Sequence, residues 1–204
     1  MFRRTRANRT SSFAILYAVA DDTKLIQIID AALAEAAGKA GAWLKCRPGC
    51  CECCLGVFEI SGLDAERLRR GLLRLEERDA AQGARVRFRA GEAAARLRRQ
   101  YPADTANRAL SEAADDDAPC PVLDPVTGTC DLYESRPLVC RTFGPAIRVG
   151  NDVGTCELCF PGATAEQIAA CAVELDAAAI ESPFVQELAG DQPAATTVVA
   201  LALS

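Results

Sequence analysis

Histidine is absent from all 204 residues of the chain. That one absence removes the Ser-His-Asp triad, the three-histidine zinc hydrolase site and the two-histidine, one-carboxylate iron site. The phosphate-cradling G-x-x-x-x-G-K-[ST], the nucleophile elbow G-x-S-x-G and the dinucleotide fingerprint G-x-G-x-x-G are missing as well. Aromatic residues amount to 5%, with a single Trp, so few side chains are available for stacking on bases. Acidic residues outnumber basic ones, 28 to 23, and the net charge of −5 argues against a general nucleic-acid binder. No stretch approaches the roughly 20 apolar residues that a membrane span needs. An activity, if there is one, falls to a metal or to a cysteine.

Sulfur is what the chain has. Cys46-Arg-Pro-Gly-Cys50-Cys51-Glu-Cys53-Cys54 places five thiols in nine residues, and Cys120, Cys130, Cys140, Cys156, Cys159 and Cys171 follow. The total of 11 is odd, and the chain is longer than the usual disulfide-stapled module of under about 100 residues. Cys50-Cys51 and Cys53-Cys54 are neighbours, and a bridge between neighbours forces the Cα atoms well below the usual separation of about 4.4–6.8 Å. The dense thiols therefore read as metal ligands or redox groups of a reducing compartment. The expected location is cytoplasmic.

The first residues point the other way. A basic run, Arg3-Arg4-Thr-Arg6, precedes a short apolar run from Phe13 to Ala20 with small residues at its end, which has the form of an export signal. The competing readings are a disordered leader or a start codon placed too far upstream. Residues 1–21 are taken as a flexible arm, with export as the alternative location, and 22–204 as a single domain.

Half the residues are apolar, carried largely by alanine and leucine, which favours helices over a β-sandwich. Leu25, Ile28, Ile29, Ala32, Leu33 and Ala36 have helical spacing, so a helix is expected from Asp22 to about Ala42. Trp43 follows as an anchor over the first cysteines. Val57–Ile60 reads as short and extended. Ser61-Gly-Leu-Asp64 looks like a capped helix start, leading to a helix to about Asp79 and a second from about Ala84 to Gln100. The arginines along these two helices, with acids interspersed, read as the solvated face of a hairpin. Residues 103–118 are expected to be an exposed linker. Residues 119–161 read as an ordered loop layer that needs a staple. Thr164-Ala-Glu-Gln167 has capping-box form and opens a helix expected to reach about Ile180. Thr196 to Leu203 either forms a strand or docks. The expected fold is mainly α: a small helical domain with an irregular Cys-rich metal-binding loop layer.

A loop layer without its own core can be held by a structural metal, whose binding energy becomes folding energy. Tetrahedral zinc takes four thiolates, commonly from C-x₂-C knuckles, and both Cys50-x₂-Cys53 and Cys156-x₂-Cys159 have that spacing. Gly49 suits the tight turn of such a knuckle. Thiolates also bind iron and iron–sulfur clusters. Nine thiols exceed one tetrahedral ion, so two separate sites and a multinuclear cluster both fit. Cys171, on an apolar helix, reads as a small buried hydrophobe.

The later segment reads Cys120-Pro-Val-Leu, then Gly128-Thr-Cys130-Asp-Leu-Tyr133-Glu-Ser-Arg136-Pro137-Leu-Val-Cys140-Arg141-Thr-Phe143. With the first cysteine knot, it resembles the YkgJ-like (CxxCxxCC) family of zinc- or iron-chelating proteins over about residues 46–160. The resemblance implies Cys46, Cys50, Cys53, Cys54, Cys120, Cys130 and Cys140 as metal ligands, and spacing adds Cys156 and Cys159. The chain departs from the family pattern at its first gap, Cys46-x₃-Cys50, and in the extra thiol of Cys51. Arg136 and Arg141 flank Cys140 and are expected to offset thiolate charge and donate hydrogen bonds around the metal. The alternative for Arg136 is a surface pair with Glu134 or Asp131. The cofactor is expected to be zinc or iron, with an iron–sulfur cluster open. Flagellin lysine methylases are similar through the same cysteine arrangement, which keeps a redox or protein-modifying enzyme open beside a plain metal-binding protein and a secreted disulfide module. A protein partner is compatible with all three readings.

Overall fold

A computed structural model describes residues 22–112, 117–192 and 194–204. The expectations for residues 1–21 and for Asp115 and Asp116 lie outside these. Among the described residues the chain is mainly helical, as its composition implies, with two small sheets.

Helix α1 (Thr23–Ala40) buries Leu25, Ile29, Ala36 and Ala40, a single stripe at helical spacing. It stops at Gly41, whose φ of +51° turns the chain and lets its N–H bond Ala37 O. Helix α2 (Gly62–Arg78) starts at Ser61, whose hydroxyl accepts the Asp64 N–H at 3.0 Å. Leu63, Leu68, Leu72 and Leu75 are almost fully buried along it, each worth about 2 kcal/mol of apolar burial. One residue, Asp79, separates α2 from α3 (Ala80–Gln100), and its carboxylate caps the Gln82 N–H at 2.9 Å. The second helix of the hairpin thus begins a turn earlier than periodicity indicates.

Two expectations are corrected. Part of the supposed linker 103–118 is helix α4 (Thr105–Glu112), which buries Ala109 against Tyr101, Leu97 and Ala94. An eight-residue amphipathic segment carries too few apolar positions to announce itself. The helix expected from Thr164 to Ile180 is two helices, α6 (Ala165–Cys171) and α7 (Ala177–Ala189). Between them Val173-Glu174 leaves the helix as a strand, because the free edge of a neighbouring strand offers backbone partners: Val173 N–H bonds Ala146 O and Leu175 N–H bonds Arg148 O. Asp176 then caps the Ala179 N–H at 2.9 Å and restarts the helix.

The strands are short. β1 (Ile60–Ser61) pairs antiparallel with β5 (Thr196–Thr197), Ile60 opposite Thr197. β2 (Ile147–Val149) pairs antiparallel with β3 (Asp152–Gly154) and parallel with β4 (Val173–Glu174). The tail does both things expected of it, forming β5 and then docking as α8 (Val199–Ala202) against α2 and α3. Helix α5 (Leu138–Thr142) carries Cys140.

The arginine-rich hairpin is not only a solvated face. Arg67 is buried between Asp22 and Asp64, Arg69 donates to Ala202 O, Arg74 to Ser135 and Arg89 to Pro121 O and Asp131. These side chains sew the tail and the loop layer to the helices. Gly71 supplies the room for this on α2: a Cβ there would fall 2.3 Å from Ser135 Oγ, in the turn ahead of Cys140.

Candidate metal centre

The first cysteine loop is shaped by Pro48-Gly49. Gly49 has φ +89°, and the Cys50 N–H closes the turn on Arg47 O at 3.0 Å. A short 3₁₀ turn, Glu52–Cys54, follows. Cys54 O then accepts the Cys120 N–H at 2.7 Å and Leu55 bridges Pro119, which laces the first loop to the second. Leu123 bridges Cys130 in turn, and Asp124 closes the intervening loop by accepting the Val126 and Thr127 N–H groups at 2.7 and 3.1 Å. Asp124 is thereby a turn residue, and Glu157 is exposed.

This lacing sorts the nine proposed ligands into two neighbourhoods. Cys46 lies beside Cys159, Cys50 and Cys156; its thiol donates to Cys159, and burial together with that neighbour pushes its pKa up to about 11. Cys53 and Cys54 lie with Cys120, Cys130 and Cys140. Here the Cys54 thiol donates to Cys53, which with the nearby Arg136 cation brings Cys53 down to about 6 against the opposing effect of burial. Burial raises Cys120 to about 12 and raises Cys130 and Cys140 as well. Cys50 and Cys53, which share a C-x₂-C spacing, thus sit in different groups: the backbone turns between them.

At three of these sulfurs a backbone N–H two positions on works against the rise caused by burial: Val122 at Cys120, Leu132 at Cys130 and Leu158 at Cys156. Such donors favour the thiolate, the form that binds metal. All eleven cysteines are free. The donor set therefore suits a soft, thiolate-bound ion. Among the described residues no three Cys, Asp or Glu side chains are converged on one point ready to hold it, so closing the shell requires the sulfurs to draw together.

Both groups face a cleft of about 810 Å³ between α1 and the loops. Leu33, Ala37 and Leu44 form one wall; Tyr133, Pro137 and Phe143 form the other. The Arg136 guanidinium lies 3.6 Å over the Tyr133 ring and donates through Nε to Tyr133 O at 3.0 Å. Its charge acts on Cys53 and Cys130. Asp131, a potential surface partner, is taken by Arg89 and Gln82. Arg141 is placed differently. It is buried, bonds Asp30 of α1 at 2.8 and 3.1 Å, and donates to Glu134 O and, at 3.2 Å, to Arg136 O. It ties the cysteine-bearing turn to α1.

Cys171 is buried among Ala40, Ala146 and Phe160 and donates to Lys39 O at 3.3 Å. Trp43 packs on Phe160, ring centres 5.7 Å apart, above Cys156 and Cys159. Two residues of the site escaped sequence reasoning. Asp30 carries no local signal for its partnership with Arg141, 111 positions away. Asp64 reads as a helix-start acid, yet its carboxylate also accepts the Leu138 N–H at 3.1 and 3.2 Å and so positions the start of α5.

A family model, CxxCxxCC: Putative zinc- or iron-chelating domain, matches residues 45–159, more than half of the chain. No curated protein and no solved structure matches.

Proposed function

We propose that this chain, which belongs to the CxxCxxCC family, is a thiolate metal-binding protein whose metal organises the loop layer between α1 and the α2–α3 hairpin. The ion is zinc or iron, and Cys46, Cys50, Cys53, Cys54, Cys120, Cys130, Cys140, Cys156 and Cys159 supply the sulfur. The observation that carries this reading is the grouping itself: nine free thiols from three stretches of the chain, 46–54, 120–140 and 156–159, share two neighbourhoods. Neighbouring thiolates repel, and a cation is the economical way to hold them together. Arg136 offsets charge at Cys53 and Cys130, while Arg141 positions the turn that presents Cys140.

A second reading is favoured by the cleft. Its volume of about 810 Å³ is far more than one ion occupies, and it gives the thiols access to a further molecule. An iron–sulfur centre there would make a redox or protein-modifying enzyme. Elemental analysis and a visible spectrum of protein purified without added metal and without oxygen separate the two. Zinc in a colourless protein supports the organising role. Iron with thiolate-to-iron absorption supports the redox centre. Metal-free protein that takes up neither ion overturns both.

A further inference from the structure

The two thiol groups lie in different parts of the core. Cys156 and Cys159 are buried with Ala40, Ala146 and Phe160, against the end of α1. Cys120, with the partly buried Cys54 and Cys130, packs instead with Leu68, Leu72 and Val122 of the helical hairpin and its loop. The apolar contacts that fix one group are thus not those that fix the other. The donor counts differ as well. The first group has four sulfurs, the number one tetrahedral ion takes; the second has five. The cations that act on these thiols fall on the second group: Arg136 on Cys53 and Cys130, and Arg89 on Cys120.

We propose that the chain holds two separate metal sites and not one shared cluster. Cys46, Cys50, Cys156 and Cys159 take a single tetrahedral ion that fastens the β2–β3 and α6 segment to the end of α1. The five remaining thiols, with Arg136, form a second site that fastens the 118–140 loops to the helical hairpin. The inference rests on the metal-binding reading above. Within the first cysteine loop the tether between the sites is Cys51-Glu52, so this loop, which feeds both, is pinned from either side.

The closing experiment loads the full chain with Co²⁺, and separately with Zn²⁺, and counts metal per chain. Wild type is compared with Cys156→Ser/Cys159→Ser and with Cys120→Ser/Cys140→Ser. The expected result is that the first variant loses about one ion, the content of one four-thiol site, and keeps the rest. The second loses the complementary fraction and keeps the tetrahedral thiolate cobalt spectrum of the first site. Loss of all metal from a variant that retains wild-type far-ultraviolet ellipticity overturns the inference and leaves metal binding standing. Should a variant not fold, chelator extraction of the wild type decides: two release steps support separate sites, and one step overturns them. Wild type that binds neither ion fails the metal reading itself.

Discussion

Gly144 sits so close to Cys46 that a Cβ on it would lie 2.6 Å from the Cys46 sulfur, and its φ of +126° is one that other residues rarely adopt. The same glycine's carbonyl accepts the Thr155 hydroxyl at 2.8 Å and the Cys156 N–H at 3.2 Å. Gly144→Ala is therefore expected to displace Cys46 and the Cys156 turn together. The cost is about 1–3 kcal/mol from overpacking and backbone strain. Thermal unfolding measures it, and metal content should fall with it. A variant of wild-type stability and metal content would show that the close approach is not needed.

Arg141 has a half-exposed partner in Asp30 but also two carbonyls, Glu134 O and Arg136 O, the second of which it shares with Arg67. Arg141→Met leaves a carboxylate that water can reach, removes the Arg141 donor from Glu134 O, and leaves Arg136 O with only the longer Arg67 bond. The expected loss is about 1–3 kcal/mol, smaller than for a fully buried pair. Asp30→Asn should cost less than Arg141→Met, because the carbonyl bonds survive. Urea unfolding of both variants checks the order.

Arg136→Gln removes the cation beside Cys53 and Cys130 while the Tyr133 contact is only weakened. Expected is a metal affinity lower by about 10-fold or more, the range seen when groups around a ligand shell are changed, with stability of the metal-free protein nearly unchanged. Competition with a chromophoric chelator measures it. Unchanged affinity would assign Arg136 to packing.

Cys171 and Cys120 are both buried, but Cys171, in the same cluster as Cys156 and Cys159, spends its thiol on Lys39 O, whereas Cys120 stands among Cys53 and Cys130. Cys171→Ala is expected to leave metal content unchanged at a cost of about 1 kcal/mol, one lost neutral hydrogen bond. Cys120→Ala should reduce metal content. Loss of metal from Cys171→Ala would require a ligand set different from the one proposed.

Glu181 of α7 is raised, first by burial and then by the carboxylates of Asp64 and Asp22, against the Ser61 hydroxyl that donates to it at 2.6 Å and the Arg67 cation. A carboxyl raised on folding binds its proton more tightly in the native state, so stability falls as pH climbs through the carboxylate range. Glu181→Gln keeps an oxygen acceptor for Ser61 and removes that charge. It should match wild type below the carboxylate range and exceed it near neutral pH. Urea midpoints at the two pH values provide the comparison.

Helices α1, α2 and α3 were legible because their apolar positions recur at three and four residues and α2 opens on the Ser61 cap, while the Asp79 cap that starts α3 a turn before Ala84 was not read. Helix α4 and the break at Ala172 were not. The first is too short for its periodicity to register, and the second exists because β2 offers an edge to Val173. The arginines of α2 and α3 looked alike in sequence, since a side chain's charge says nothing of whether Asp22, Ala202 or water receives it.

The sequence by itself bounded the chemistry open to this protein. Eleven thiols without a histidine, at knuckle spacings and around Arg-Pro-x-x-Cys-Arg, admit a soft metal and exclude most other sites. Tertiary structure decided the partnership: Cys50 turns toward Cys156, and Cys53 toward Cys120 and Cys130. Spacing along a chain fixes which ligands are near each other only within one turn. Whether neighbours three residues apart share a site depends on where the rest of the fold brings its sulfur.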